Sequence, residues 1–286
     1  MSVYVDKSTL IEQLRATLAT EPTAAAWIDR LPQILASCET AWDLQLGEPY
    51  AGSHISYVAP AMRSDGASFV VKAGFRGRES QHEALALRCW DGRGAVYLID
   101  ELADGDAMLL EHAEPGGLLA DADPQRVDRI GVMAELLREL ARPIRDLAAS
   151  TDGCGTLADE ARWWACGLVE KWRAAGEPFD RSTVDRALEL IEALVVTQGE
   201  QVLLHQDLHG HNVVASQRSP WLAIDPKPLV GELEFVVAPI VRSNEFGHAK
   251  REVWFRCGYF RRKIPSFTAN HAPVIRRERR NAKCRP

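Results

Sequence analysis

His205-Gln206-Asp207-Leu208 follows the apolar run Val202 to Leu204, and Asn212 stands five residues beyond Asp207. A second apolar run, Trp221 to Ile224, ends at Asp225. Two carboxylates and a carboxamide in this order suit transfer of a phosphoryl group. One carboxylate orients the attacking hydroxyl, while the amide and the second carboxylate hold metal ions that bridge the phosphates. The competing reading is a polar turn between two buried strands, whose Asp, His and Asn only satisfy nearby backbone groups. Asp225 weighs against it, because a second carboxylate recurs at the end of a second strand-like run, where a metal ligand belongs.

Residues that far apart must be brought together by a scaffold. Leu10, Leu14 and Leu18 recur every four residues, so residues 8–38 read as helical with a break at Pro22. From Trp42 the texture becomes that of strands: AWDLQLGEPY, HISYVAPAM and ASFVVKAGF, separated by Gly-containing turns. Residues 79–90 read as a helix ended by Asp91-Gly92, and AVYLID and AMLLEHA as two further strands. Beyond them helices are expected over 124–149, 157–172 and 182–196. A strand-rich first part and a helical second part carrying the Asp207 hairpin make an α+β, two-lobed architecture, with an antiparallel-sheet N-lobe over 1–113 and a mainly helical C-lobe over 114–255.

Within that frame Lys72 ends the apolar strand Phe69-Val70-Val71, where an ammonium could meet phosphates. Glu79 and Glu83 lie one turn apart on the helix that follows, and either could hold it. Glu83 is preferred, because a position inside the helix would be better fixed by packing. Tyr50-Ala51-Gly52-Ser53-His54 is the candidate phosphate-covering loop, carried by a single glycine.

The chain has 286 residues, 46% hydrophobic and 26% charged, which is the composition of a globular protein with a sizeable core. Its apolar runs are far short of a membrane span, and no cationic start leads into an apolar block. Cysteines at 38, 89, 154, 166, 257 and 284 form no C-x-x-C pair, so a reduced cytoplasmic protein without structural zinc is expected. Residues 256–286 carry ten of the 34 Lys and Arg but one of the 40 acidic residues, leaving a segment of +9 on a body of −15. Such a body argues against nucleic acid and favours a cationic partner.

Protein kinases write their catalytic loop as H-R-D-L-x-x-x-N, with a metal-binding Asp after the next hairpin and a V-A-I-K strand Lys. In this order and with these neighbours, the chain resembles the aminoglycoside phosphotransferases. It is most similar to their branch containing streptomycin 6-phosphotransferases and hydroxyurea phosphotransferases. The match rests on Val71-Lys72, Trp90 to Val96 (WDGRGAV), Met108 to Glu111, Leu204 to Asn212, Trp221 to Pro226 and Leu229 to Glu232, and covers roughly residues 25–250.

The resemblance implies an ATP- and Mg²⁺-dependent kinase, a monomer, that phosphorylates a hydroxyl of a small antibiotic. Streptomycin is the leading acceptor and hydroxyurea the alternative; a nucleotide-binding relative without turnover is the reading from another class. Carried over, Asp207 would be the catalytic base and Asn212 and Asp225 the Mg²⁺ ligands. Lys72, braced by Glu83, would bind ATP phosphates under the Gly52-Ser53 loop. Backbone groups from Glu111 to Ala113 would receive adenine, and His205 would tie the catalytic loop to the Asp225 segment. The chain departs from the usual pattern at Gln206 (commonly Gly), His211 (commonly Glu) and Glu234 (commonly Asp). It departs more at 256–286, where apolar helices that complete the lobe are expected and an Arg-rich stretch without helical period stands. That stretch reads as a basic tail or, preferably, as an out-of-frame or truncated end, so the C-terminal part is expected to be incomplete.

Overall fold

The computed structural model describes residues 4–147 and 149–242. The Arg-rich stretch 256–286 and the expected lobe beyond 242 lie outside the described residues. In chain order the elements are α1 (Lys7–Thr17), α2 (Ala24–Trp42), β1 (Leu44–Leu46), β2 (Ser56–Arg63), β3 (Ser68–Gly74), α3 (Glu83–Trp90), β4 (Leu98–Glu101), β5 (Met108–Glu111) and β6 (Pro115–Leu118). They continue with α4 (Arg129–Leu140), α5 (Leu157–Ala174), α6 (Arg181–Val195), β7 (Gln201–His205), β8 (Val213–Ser216), β9 (Trp221–Ala223), β10 (Pro228–Glu232) and α7 (Val237–Arg242). No helix among the described residues is long and apolar enough to cross a membrane.

The described chain divides into two compact units, residues 4–117 with 214–226 and residues 118–213 with 227–242. The first contains an antiparallel sheet in the order β1-β2-β3-β5-β4. Alternation along the strands decides what each face meets. Tyr57, Ala59 and Ala61 of β2 and Val71 and Ala73 of β3 share a buried cluster with Leu10 and Leu14 of α1 and Leu31, Leu35 and Cys38 of α2. Lys72, between Val71 and Ala73, therefore projects from the opposite face. That parity turns the strand sequence into a placed ammonium.

The second unit holds α4 to α7 and the antiparallel pair β7–β10, in which His205 faces Pro228 and Val202 faces Gly231. Leu203 and Leu204 of β7 are buried, as are Met133 and Leu137 of α4. Thr156 caps α5, its hydroxyl accepting from Asp159 N at 3.1 Å, and the neighbouring Gly155 O accepts from Val230 N at 2.9 Å. The start of α5 is thus pinned to β10.

Two helices are shorter than the sequence pattern suggests. α3 begins at Glu83, not 79, because Ser80 bonds locally: its Oγ accepts from Gly77 N and donates to Phe75 O. Such side-chain bonds offer the backbone an alternative to the helical ladder. Glu79 consequently lies in a turn, and Glu83 is the first residue of its helix and not an interior one. α4 begins at Arg129, where Asp128 accepts from Gly131 N as an N-cap.

Candidate active site

Lys72, Glu83 and Asp225 meet in the first unit. Lys72 Nζ lies 2.6 Å from Glu83 Oε1 and 2.5 Å from Asp225 Oδ1. The Lys72 and Glu83 side chains are buried, whereas Asp225 is 47% exposed. Burial alone would lower the Lys72 ammonium, but the charges of Glu83 and Asp225 overcome it and hold the group above its ordinary value. Glu83 moves up to about 7, because burial and the nearby Asp225 charge outweigh the pull of Lys72. Two carboxylates thus share one ammonium, and the buried one carries the strain of that sharing. Asp225 itself has φ of 57°, in the left-handed region that side-chain-bearing residues seldom occupy.

The WDGRGAV stretch explains how Asp225 is held. Ala223 N donates to Gly94 O at 2.8 Å and Val96 N to Ala223 O at 3.1 Å, so the stretch pairs with β9 two residues before Asp225. Gly92 (φ +72°) packs so closely under Tyr97 that a Cβ there would lie 2.3 Å from the ring. Arg218, in the β8–β9 turn, completes the arrangement. It donates from Nε and Nη2 to the two carboxylate oxygens of Glu111 at 2.9 Å each, and to Gly92 O at 2.7 Å and Ala95 O at 3.1 Å. Burial would raise the Glu111 carboxyl, but bonds from Arg218 and the Tyr97 amide prevail and lower it. Glu111 N donates to Tyr97 O at 3.0 Å, so that amide is committed; Ala113, two residues on, is buried. Gly52 (φ +91°) and Ser53 occupy the loop between β1 and β2, with nothing within 4 Å of a Cβ built on Gly52.

Asp207 and Asn212 belong to the second unit, either side of the turn that leaves β7. Asn212 Nδ2 donates to Asp207 O at 2.9 Å, which fixes the amide and turns its oxygen to the other side. Asp207 Oδ2 is 2.9 Å from Lys227 Nζ, and Oδ1 is 3.8 Å from His209 Nε2. His205 is buried, and its place opposite Pro228 ties the loop backbone to the segment after Asp225. His211 is exposed on the short 3₁₀ turn Gly210–Asn212, its N–H donating to His209 Nδ1 at 3.3 Å. Lys227, His209 and Arg218 were not singled out by the sequence reading. A lysine between two prolines just past Asp225 is the only sequence signal any of them offers.

The half-exposed carboxylate of Asp225 could offer an oxygen to Mg²⁺, which takes one or two protein oxygens and fills its shell with phosphate and water. Among the described residues no group of three or more His, Cys, Asp or Glu is placed to hold a metal ion.

A five-stranded antiparallel sheet whose third strand carries a lysine paired to the following helix is the architecture of a protein-kinase-like fold. The crystal structure of an aminoglycoside-3'-phosphotransferase of type VIII has the same fold: 18% identity, 81% of this chain and 90% of that chain covered, TM-score 0.51. Streptomycin 6-kinase of Streptomyces griseus is 33% identical over 237 residues, 80% of this chain and 74% of that protein. Hydroxyurea phosphotransferase of Kitasatospora aureofaciens is 30% identical over 226 residues, 77% of this chain and 65% of that protein. The sequence profile of the aminoglycoside/hydroxyurea antibiotic resistance kinase family matches residues 41–281, running into the Arg-rich stretch. The chain belongs to that family, and it is a kinase.

Proposed function

We propose that the protein transfers the γ-phosphoryl of ATP to a hydroxyl of a small antibiotic, with streptomycin as the acceptor. The observation that carries this reading is Lys72 bound to both Glu83 and Asp225, at 2.6 and 2.5 Å, the second of them 153 residues away in the chain. Lys72 binds the ATP phosphates and Glu83 keeps it in place. Gly52 and Ser53 cover the phosphates, and the backbone from Glu111 to Ala113 receives adenine. Asn212 and Asp225 ligate Mg²⁺, which neutralises charge on the phosphates when bound. Asp207 accepts the proton of the acceptor hydroxyl as its oxygen bonds to the γ-phosphorus. The bond to the bridging oxygen breaks, and ADP leaves with the electron pair.

Streptomycin, with two guanidinium groups, suits an acidic body better than uncharged hydroxyurea does. The 30% identity to a hydroxyurea phosphotransferase makes hydroxyurea the second reading. Two variants test the roles. Asp207→Ala should lower turnover by roughly 10²–10⁴ while leaving ATP affinity nearly unchanged, because a base acts in the transition state. Asp225→Ala should abolish Mg²⁺-dependent nucleotide binding, read by calorimetry. Full turnover in the first, or retained Mg·ATP affinity in the second, would remove that residue from its role.

A further inference from the structure

We propose that Lys227 is a positioning residue for Asp207: it grips one carboxylate oxygen so that the other is presented to the acceptor hydroxyl. The inference rests on the phosphotransferase reading above and adds to it a residue from outside the catalytic loop.

The placement follows from strand register. β7 and β10 pair with His205 opposite Pro228, and the ladder continues one step further, Gln206 N donating to Lys227 O at 3.1 Å. Lys227 therefore stands across from Gln206, directly beside Asp207. Pro226 and Pro228 flank it, and each ring fixes its own φ, so the backbone that bears the lysine has little freedom. The ammonium reaches Asp207 Oδ2 at 2.9 Å, while Oδ1 has His209 Nε2 at 3.8 Å, beyond hydrogen-bond reach. The two oxygens are thus unequal: one is held and one is available.

A solvent-exposed ion pair of this kind contributes little to stability. This pair differs in place and in burial. Both side chains are only a little over a quarter exposed, at 27% and 28%, and one of them is the carboxylate to which the proton must go. Without the lysine the carboxylate can rotate about its Cβ–Cγ bond, and a base turned away from its hydroxyl loses the near-attack geometry. In the step itself the hydroxyl proton passes to Oδ1, the acceptor oxygen bonds to the γ-phosphorus, and ADP departs with the electrons of the broken bond. Lys227 gives up no proton and touches no reacting atom.

The test uses the full chain with Mg·ATP and streptomycin, and calorimetric titration with ADP. Lys227→Met should lower kcat by roughly 10- to 100-fold, as a misplaced catalytic group does. ADP affinity should stay within about twofold and the KM for ATP should hold, because the lysine acts through the base. Lys227→Arg should recover part of the loss, the charge being kept on a differently shaped head. In an Asp207→Asn background Lys227→Met should have no further effect. A kcat within about threefold of wild type, a parallel fall in ADP affinity, or losses that multiply in the double variant would each overturn the inference. A wild-type protein that binds ADP but transfers no phosphate ends both this inference and the reading beneath it, whereas active wild type with an unaffected Lys227→Met ends this inference alone.

Discussion

At Lys72 one ammonium serves two carboxylates, and the consequence is a titration that can be measured. Glu83 moves from an ordinary 4.5 to about 7, so the folded state holds a proton that the unfolded chain has released across that interval. Its contribution to stability is fully present below about pH 4.5 and is lost as the pH rises through 7. Glu83→Gln cannot release a proton, so stability measured by urea unfolding at pH 5 and pH 7.5 should fall less in the variant than in wild type. Equal falls would mean that the buried acid does not titrate in this range. Asp207, Asn212 and Asp225 could be named as candidates because spacing alone picks them out. Lys227 and Arg218 were not, because a single cation gives no sign of a partner 20 or 107 residues away.

At the scale of elements, the β7–β10 pair delivers Asp207 and Lys227 side by side at the same end, Asp207 just past β7 and Lys227 just before β10, and α5 is docked on it. Gly231 is the contact point: a Cβ there would lie 2.5 Å from Leu157 Cβ and 3.1 Å from Leu204 Cδ1. Neither Leu157, the first residue of α5, nor Leu204 of β7 can retreat without disturbing its own element. Gly231→Ala should therefore destabilise the protein by about 1–3 kcal/mol, seen as a lower urea midpoint at unchanged slope. An unchanged midpoint would show that α5 can shift at no cost. The strands of the first sheet were readable from alternation, and helices α5 and α6 from their period. β6 and β10 were missed because short runs rich in Gly and Pro carry no such period. The starts of α3 and α4 were misplaced because Ser80 and Asp128 set them through local hydrogen bonds that no apolar pattern reveals.

For the whole molecule, the fold follows from the order strands, helices, hairpin, and the chain belongs to the aminoglycoside/hydroxyurea antibiotic resistance kinase family. The acidic body makes a further distinction between acceptors. If a diffuse negative field attracts streptomycin, its KM should rise with salt between roughly 0.01 and 0.3 M, as the Debye length shrinks below the size of the protein. The KM for hydroxyurea should hardly move. A salt-independent KM for streptomycin would show that local contacts, not the field, bind it. The central claim, ATP-dependent phosphoryl transfer to an antibiotic hydroxyl through Asp207, is tested most directly by mass spectrometry of the acceptor. The protein is incubated with Mg·ATP and either streptomycin or hydroxyurea, beside an Asp207→Ala control. The account predicts streptomycin heavier by one phosphate, with ADP formed in equal amount and almost none of either in the control. Intact acceptors in both reactions, from a protein that binds Mg·ATP, would contradict it.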